Sequence, residues 1–289
     1  MAALSLAGAG LGAFLVVGRA EAAPETRKVV RQVDHVLISS SQPNALFALL
    51  TQTFELPVAW PMSDYGGFVS GGVALGNVNV EVLSAAGPAG GVARARFVGL
   101  ALEPEPLPTA LPELDARGIV HGRPAPYRTG RSWFTRKPRW TTVALPTVSA
   151  DALEVFLCEY GHDVAEQRQR LREQLQSRQG GPLSVRSVRE IVCGTAHRIQ
   201  KEESWRTLLH PSQASDGQWE LGGGPALRLV QAERDQLQEL IVTVGSLQQA
   251  RVFLREQGLL GEDRPEAITL AGPLLQGLTL VLVEEPWER

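Results

Sequence analysis

The sequence predicts an α+β protein made of four repeated units, each a strand, a helix and then short strands punctuated by glycine. Three observations predict it. Apolar strand-like starts recur at Val33, Phe97, Val188 and Leu237, with spacings of roughly 50 to 90 residues, longer than a solenoid repeat and suited to duplicated modules. A helix-like segment follows each start. The 29 glycines and 19 prolines fit many short strands joined by turns.

In the first unit, Val33 to Ile38 reads as a strand and Pro43 to Thr53 as a helix, with Leu46, Phe47, Leu49 and Leu50 on its apolar side. Pro57 and Pro61 bracket Trp60 in an expected loop, and short strands are expected at Gly67–Ser70, Val73–Leu75 and Val78–Leu83. Ala86 to Gly91 reads as a turn between units. The second unit starts at Phe97–Leu102. Its helix, Leu107 to Ala116, stops at Arg117-Gly118, and its later strands are Trp140–Leu145 and Val155–Tyr160. Val164 to Gln179 is dense in Arg, Gln and Glu and reads as an exposed linker helix ended by Gly180-Gly181-Pro182. The third unit has a helix near Glu202–Leu209, and the fourth one at Leu247–Gln257. The expected divisions are an extension over 1–28, a first domain over 29–162, the linker over 163–182 and a second domain over 183–289.

A formal net charge of −3, from 28 basic and 31 acidic residues, points to neither nucleic acid nor an anionic membrane surface. Cys158 and Cys193 lie in apolar runs and read as small buried hydrophobes, with no disulfide framework visible. Ala2 to Val17 is apolar and Ala20-Glu21-Ala22 resembles a signal-peptidase site, yet no Lys or Arg precedes Arg19. Cytoplasmic location and export through this segment therefore stand as alternatives. No later segment is long and apolar enough to span a membrane.

Two short apolar runs carry ionisable side chains. Val33-Asp34-His35-Val36-Leu37-Ile38 holds His35, and Asn77-Val78-Asn79-Val80-Glu81-Val82-Leu83 holds Glu81. A buried charge needs a partner. Strand alternation puts Val78, Val80 and Val82 on one face of the second run and Asn77, Asn79 and Glu81 on the other, which would line a cleft. By the same alternation His35 shares a face with Val33 and Leu37, and Glu159 one with Leu157. Imidazole and carboxylates suit Zn²⁺, Fe²⁺, Mn²⁺ or Ni²⁺. A His on a strand is also often a hydrogen-bonded core residue. Trp60, Tyr65 and Phe68 cluster in sequence and suit either packing or the lining of an apolar pocket.

Val33-Asp34-His35-Val36 opening a strand, with Asn79-Val80-Glu81-Val82 closing a unit, resembles the vicinal oxygen chelate superfamily of glyoxalase I, bleomycin-resistance proteins and extradiol dioxygenases. The resemblance covers residues 31 to 285 and implies βαβββ modules paired into two domains, each a curved mixed sheet around a cleft. It implies metal ligands on the first and last strand of a module: His35, Glu81 and Glu159, with Val98-Gly99 standing where another ligand is due. Modules three and four offer Glu190 and Glu239 on their first strands but no ligand at Leu229-Val230 or Val281-Leu282, so the second domain is expected to be metal-free. Glu190 and Glu239 are expected to pair with nearby Arg or backbone groups.

The resemblance implies a divalent transition metal bound by His35 and Glu81, with Glu159 as third ligand or catalytic base; from their clustering and strand face, Trp60, Tyr65, Phe68 and Asn79 are expected toward the substrate. Such an enzyme would act on a small molecule with adjacent oxygens as isomerase, lyase or dioxygenase. The rival reading is a bleomycin-resistance-like binding protein of the same fold without chemistry. The expected partners are a small-molecule ligand and, as a homodimer, a second copy of the chain.

Overall fold

The computed structural model describes residues 27–84, 94–128 and 138–285. The signal-like segment and the expected turn at Ala86–Gly91 lie outside them. Two eight-stranded mixed sheets form, each from two βαβββ units. The first unit is β1 (Val30–Ser40), α1 (Pro43–Ala48, continued by a π-helical turn over Leu49–Thr53), β2 (Val58–Asp64), β3 (Val69–Ala74) and β4 (Asn79–Ser84). The second is β5 (Ala95–Pro104), α2 (Leu107–Ala116), β6 (Ala125–Tyr127), β7 (Trp140–Ala144) and β8 (Glu154–Tyr160). After α3 (Ala165–Ser177) the third unit has β9 (Val185–Thr195), α4 (Arg198–Leu209), β10 (Ala214–Ser215), β11 (Gln218–Trp219) and β12 (Ala226–Gln231). The fourth has β13 (Gln236–Val244), α5 (Leu247–Glu256), β14 (Leu260–Asp263), β15 (Ala267–Leu270) and β16 (Leu280–Glu284). The strand orders, β2-β3-β4-β1-β5-β8-β7-β6 and β10-β11-β12-β9-β13-β16-β15-β14, repeat one plan. In each sheet the two first strands pair antiparallel at the centre, and each first strand pairs parallel with its own unit's last strand.

The strand pairing carries a repeated irregularity. Opposite β5, β1 has an extra residue, Asp34, between Val33 and His35; opposite β1, β5 has Val98 between Phe97 and Gly99. The second sheet repeats this with Gln238 on β13 and Arg189 on β9. All four first strands thus bulge at the same place, so Gly99, Glu190 and Glu239 occupy the position of His35. A bulge sends two successive side chains to one face, against the alternation of a regular strand.

The outer faces of both sheets and the buried sides of α1, α2, α4 and α5 form one continuous apolar core that spans the two domains. Leu46, Leu49, Leu50, Ala110, Leu114, Leu208 and Leu254 lie in it. A second, small cluster of Leu37, Ala101, Phe156 and Cys158 lines the inner face of the first sheet. Cys158 and Cys193 are buried free thiols. No described helix is long and apolar enough to cross a membrane.

Two expectations change here. The Pro57–Pro61 loop is the start of β2, an edge strand, where Pro61 can lack an N–H without breaking the ladder. The expected separate strands at Gly67–Ser70 and Val73–Leu75 are one strand, β3. Gly72 pairs with Trp60 across these strands, and a Cβ there would lie 2.5 Å from the indole, so glycine lets the ring lie flat on β3.

The domains dock through polar anchors. Asn77 uses its side-chain amide as a strand would, donating to Val188 O and accepting from Val188 N, both at 2.9 Å. Arg117 closes the C-terminus of α4: its Nη1 donates to Thr207 O, Leu208 O and His210 O at 2.9, 3.1 and 3.0 Å. Those carbonyls have no partner within the helix. Replacing Arg117 by Met is expected to lower unfolding free energy by about 2–4 kcal/mol, because buried charge-assisted bonds are lost together. Breaking the exposed Arg206–Glu202 pair by Arg206→Ala should cost under about 1 kcal/mol. Urea unfolding of the two variants checks the contrast.

Candidate functional site

The inner face of the first sheet gathers the charged residues. The bulge at Asp34 turns both Asp34 and His35 inward, and they are 2% and 5% exposed. Val33, expected on the face of His35, lies instead in the outer core, because the extra residue reverses the alternation there. In the parallel β1–β4 register His35 lies beside Asn79, and Leu37 beside Glu81. Glu81 and Asn79 share the inner face of β4, while Val80 and Val82 enter the outer core, as the alternation predicts.

A chain of hydrogen bonds runs across this floor. Trp60 Nε1 donates to Ser70 Oγ at 3.2 Å, and Ser70 Oγ donates to Glu81 Oε1. Glu81 Oε2 lies 3.2 Å from His35 Nε2, and His35 Nδ1 lies 2.6 Å from Asp34 Oδ2. The Tyr160 hydroxyl donates to Asp34 Oδ2 at 2.7 Å, and Arg168 Nη2 donates to Asp34 Oδ1. Arg168 Nη1 also donates to Glu103 Oε2 at 2.6 Å. Trp60 and Phe156 meet the His35 ring edge-on, each with centroids 6.0 Å away.

These contacts set the charges. Burial opposes a charge on His35, but its hydrogen bonds to Asp34 and Glu81 and the negative charge of both carry its pKa up to about 9. Burial likewise works against the Asp34 carboxylate, yet the His35 hydrogen bond and charge, with Arg168 and Tyr160, hold its pKa below the usual carboxylate range. Burial first, then the Asp34 charge, push the Tyr160 phenol and the Cys158 thiol well above their ordinary values. At neutral pH these contacts favour a protonated His35 beside an ionised Asp34.

The rim is aromatic. Tyr65 stacks on Phe68 at 5.3 Å, and Tyr127 on Trp140 at 4.1 Å. Tyr65 meets both Tyr127 and Trp140 edge-on at 5.9 Å. Tyr65 follows β2 and Tyr127 lies on β6, the two edge strands, so this contact joins the edges of the curled sheet.

Glu159 is not in this group. Phe156, Cys158 and Tyr160 face inward on β8, whereas Glu159 is on the other face with Val155 and Leu157, and its Oε1 accepts from Leu107 N at the start of α2. The register gives the reason. Ala101, which matches Leu37, pairs with Phe156, so Phe156 and not Glu159 takes the place of Glu81 in the second unit. In the third unit that place belongs to Arg228, whose Nε is 2.7 Å from Glu190 Oε1. The second domain thus carries an acid–base pair, Glu190 with Arg228, at the places of His35 and Glu81. In the fourth unit it is Val281.

The donors can be tested against the metal that the resemblance implies. His35 Nε2 and Glu81 Oε2 are near enough to share an ion, and an Asp34 carboxylate behind Nδ1 is a common way to orient a ligating imidazole. The second unit contributes Gly99 and Phe156, neither of which can ligate, and a Cβ at position 99 would lie 3.0 Å from Glu154 O. Among the described residues no group of three His, Cys, Asp or Glu side chains is placed to hold a metal ion. The residues present do not fit a three-ligand centre.

No protein-family model matches the sequence, and no curated protein matches it. Solved structures do. Homoprotocatechuate 2,3-dioxygenase from Arthrobacter globiformis is similar with a TM-score of 0.58 at 8% identity, over 91% of this chain and 82% of that one. The Brevibacterium fuscum enzyme of the same name, in complex with 3,4-dihydroxyphenylacetate, gives 0.59 at 8% identity over 91% and 83%. A 4-hydroxymandelate synthase variant from Streptomyces coelicolor gives 0.55 at 12% identity over 89% and 93%. The chain has the two-domain vicinal oxygen chelate fold.

Sequence reasoning found His35, Glu81 and Trp60 but missed Asp34, Ser70, Tyr160 and Arg168. A signal for Asp34 was present, since it too is ionisable within the apolar run of β1. Arg168 gave none, because it sits among many Arg, Gln and Glu on a helix that reads as exposed.

The raised pKa fixes the sign of a pH effect. His35 binds its proton more tightly folded than unfolded, so its contribution to stability is complete below about pH 6.5 and declines as pH rises through about 9. Denaturant unfolding should show the stability gap between wild type and His35→Gln narrowing over that range. A gap that widened would contradict the protonated floor.

Proposed function

We propose that the inner face of the first domain binds a small hydroxylated aromatic molecule without a three-ligand metal centre. The observation that carries this reading is the occupation of the second unit's two ligand positions by Gly99 and Phe156, which leaves His35 and Glu81 as an ion pair. Trp60, Phe156, Tyr160 and Trp140 offer aromatic walls, with Tyr65 and Phe68 at the rim. Glu81 supplies an acceptor for a ligand hydroxyl, and Asn79 lies beside it on the same face. Arg139 is exposed beside β7 and its charge acts on Tyr65 at the rim, so a ligand carboxylate there would meet positive charge. A complex of a fold neighbour with 3,4-dihydroxyphenylacetate lends support to this class of ligand.

One observation favours a second reading, the metal-dependent isomerase, lyase or dioxygenase. The 3.2 Å between His35 Nε2 and Glu81 Oε2 is about the spacing of two neighbouring ligands on one ion with bonds of about 2.1 Å. Two experiments on the purified chain separate the readings. Titration with Fe²⁺, Mn²⁺, Ni²⁺ and Zn²⁺ is expected to give no stoichiometric site. In metal-free protein, 3,4-dihydroxyphenylacetate is expected to shift the indole signals of Trp60 and Trp140, with affinity reduced roughly tenfold or more in Glu81→Gln. One ion per chain, lost in folded His35→Ala and Glu81→Ala variants, would establish the metal reading instead.

A further inference from the structure

We infer that Arg168, on the helix joining the two domains, is a positioning residue for the first domain's site, which is incomplete without that helix. The inference deepens the reading of this face as a binding site. The Asp34 carboxylate has three side-chain donors: His35 Nδ1, the Tyr160 hydroxyl and Arg168 Nη2. His35 and Tyr160 stand on strands of the sheet itself, whereas Arg168 comes from α3, beyond the last strand of the domain. The other arm of its guanidinium holds Glu103 on β5, which also accepts from Gln32 Nε2 on β1 at 2.8 Å. A planar fork can bridge two carboxylates at once, which an ammonium cannot match.

The same turn of α3 makes a second attachment. Gln167 Nε2 donates to Ala59 O at 3.1 Å, on β2 beside Trp60. Two successive residues thus hold β1 and β2, which bear Asp34, His35 and Trp60, and β5, which bears Glu103. Leu171 and Leu175 are buried one and two turns further along and fix the helix against the protein. Arg170, two residues on, pairs with Glu166 in solvent. The composition of the helix hides the difference between these arginines, and the geometry separates them.

Arg168 acts through Asp34. With the guanidinium in place, Oδ1 is occupied and Oδ2 is left to face the His35 ring. Without it only Tyr160 and His35 itself hold the carboxylate, both through Oδ2, and the acceptor of the ring is less firmly fixed. The test uses the full chain labelled with ¹⁵N-histidine and follows the Nδ1 proton of His35, so its outcome does not depend on any ligand. In wild type the proton should exchange slowly with water. Arg168→Met should speed exchange roughly tenfold or more, the effect of weakening a charge-assisted hydrogen bond. Arg168→Lys should fall between the two, and Arg170→Met should match wild type. A folded Arg168→Met protein with wild-type exchange and ¹⁵N shifts would overturn the inference. If Arg168→Met does not fold, Arg168→Lys decides, and a wild-type signal there would overturn it equally. Retained binding of 3,4-dihydroxyphenylacetate with an unchanged His35 signal in Arg168→Met would overturn the positioning role while leaving the reading of the binding face in place.

Discussion

The site depends on one extra residue in β1. A regular strand could not present Asp34 and His35 on the same face, and the bulge does so. From that follow the His35–Asp34 contact, the tyrosine and arginine that gather on Asp34, and the approach of His35 Nε2 to Glu81. The bulge recurs in all four first strands, so it belongs to the repeated backbone plan. Only the first unit fills it with an acid and a histidine. The others place Val98-Gly99, Arg189-Glu190 and Gln238-Glu239 there.

Burial makes the network interdependent. Each charged group on the floor would be costly alone, and each is compensated by its neighbours. An imidazolium between two carboxylates is a closed arrangement, in which both ring nitrogens are engaged. The same two residues, His35 and Glu81, are those that the resemblance in sequence implies as ligands. What separates an ion pair from a metal site here is the opposite wall, where Gly99 and Phe156 bring no donor. The pair of Glu190 with Arg228 in the second domain obeys the same logic with the signs exchanged.

Much of the fold was legible because its signals are local. Leu107–Ala116 appears as a helix with the expected bounds and stops at Gly118, which has φ +67°. The alternation on Val78–Leu83 gave the faces of β4 correctly. The four starts fell on the four first strands. What failed depends on pairing between distant strands. The place equivalent to Glu81 in the second unit is fixed by the register of β5 with β8, and the resemblance put Glu159 there, which lies on the other face. The bulge that moved Val33 to the core leaves no mark in the residue pattern of β1. Arg168 was hidden because an arginine's environment is decided by what the helix packs on, not by its neighbours in sequence.

The contacts of His35 with Asp34 and Glu81 favour a doubly protonated ring closed between them. The most direct measurement is the pair of ring ¹⁵N chemical shifts of His35 at neutral pH, with and without one equivalent of Fe²⁺ or Zn²⁺. Both nitrogens are expected to carry protons, and neither shift is expected to move when metal is added. A bare Nε2 at neutral pH that responds to one equivalent of metal would contradict it.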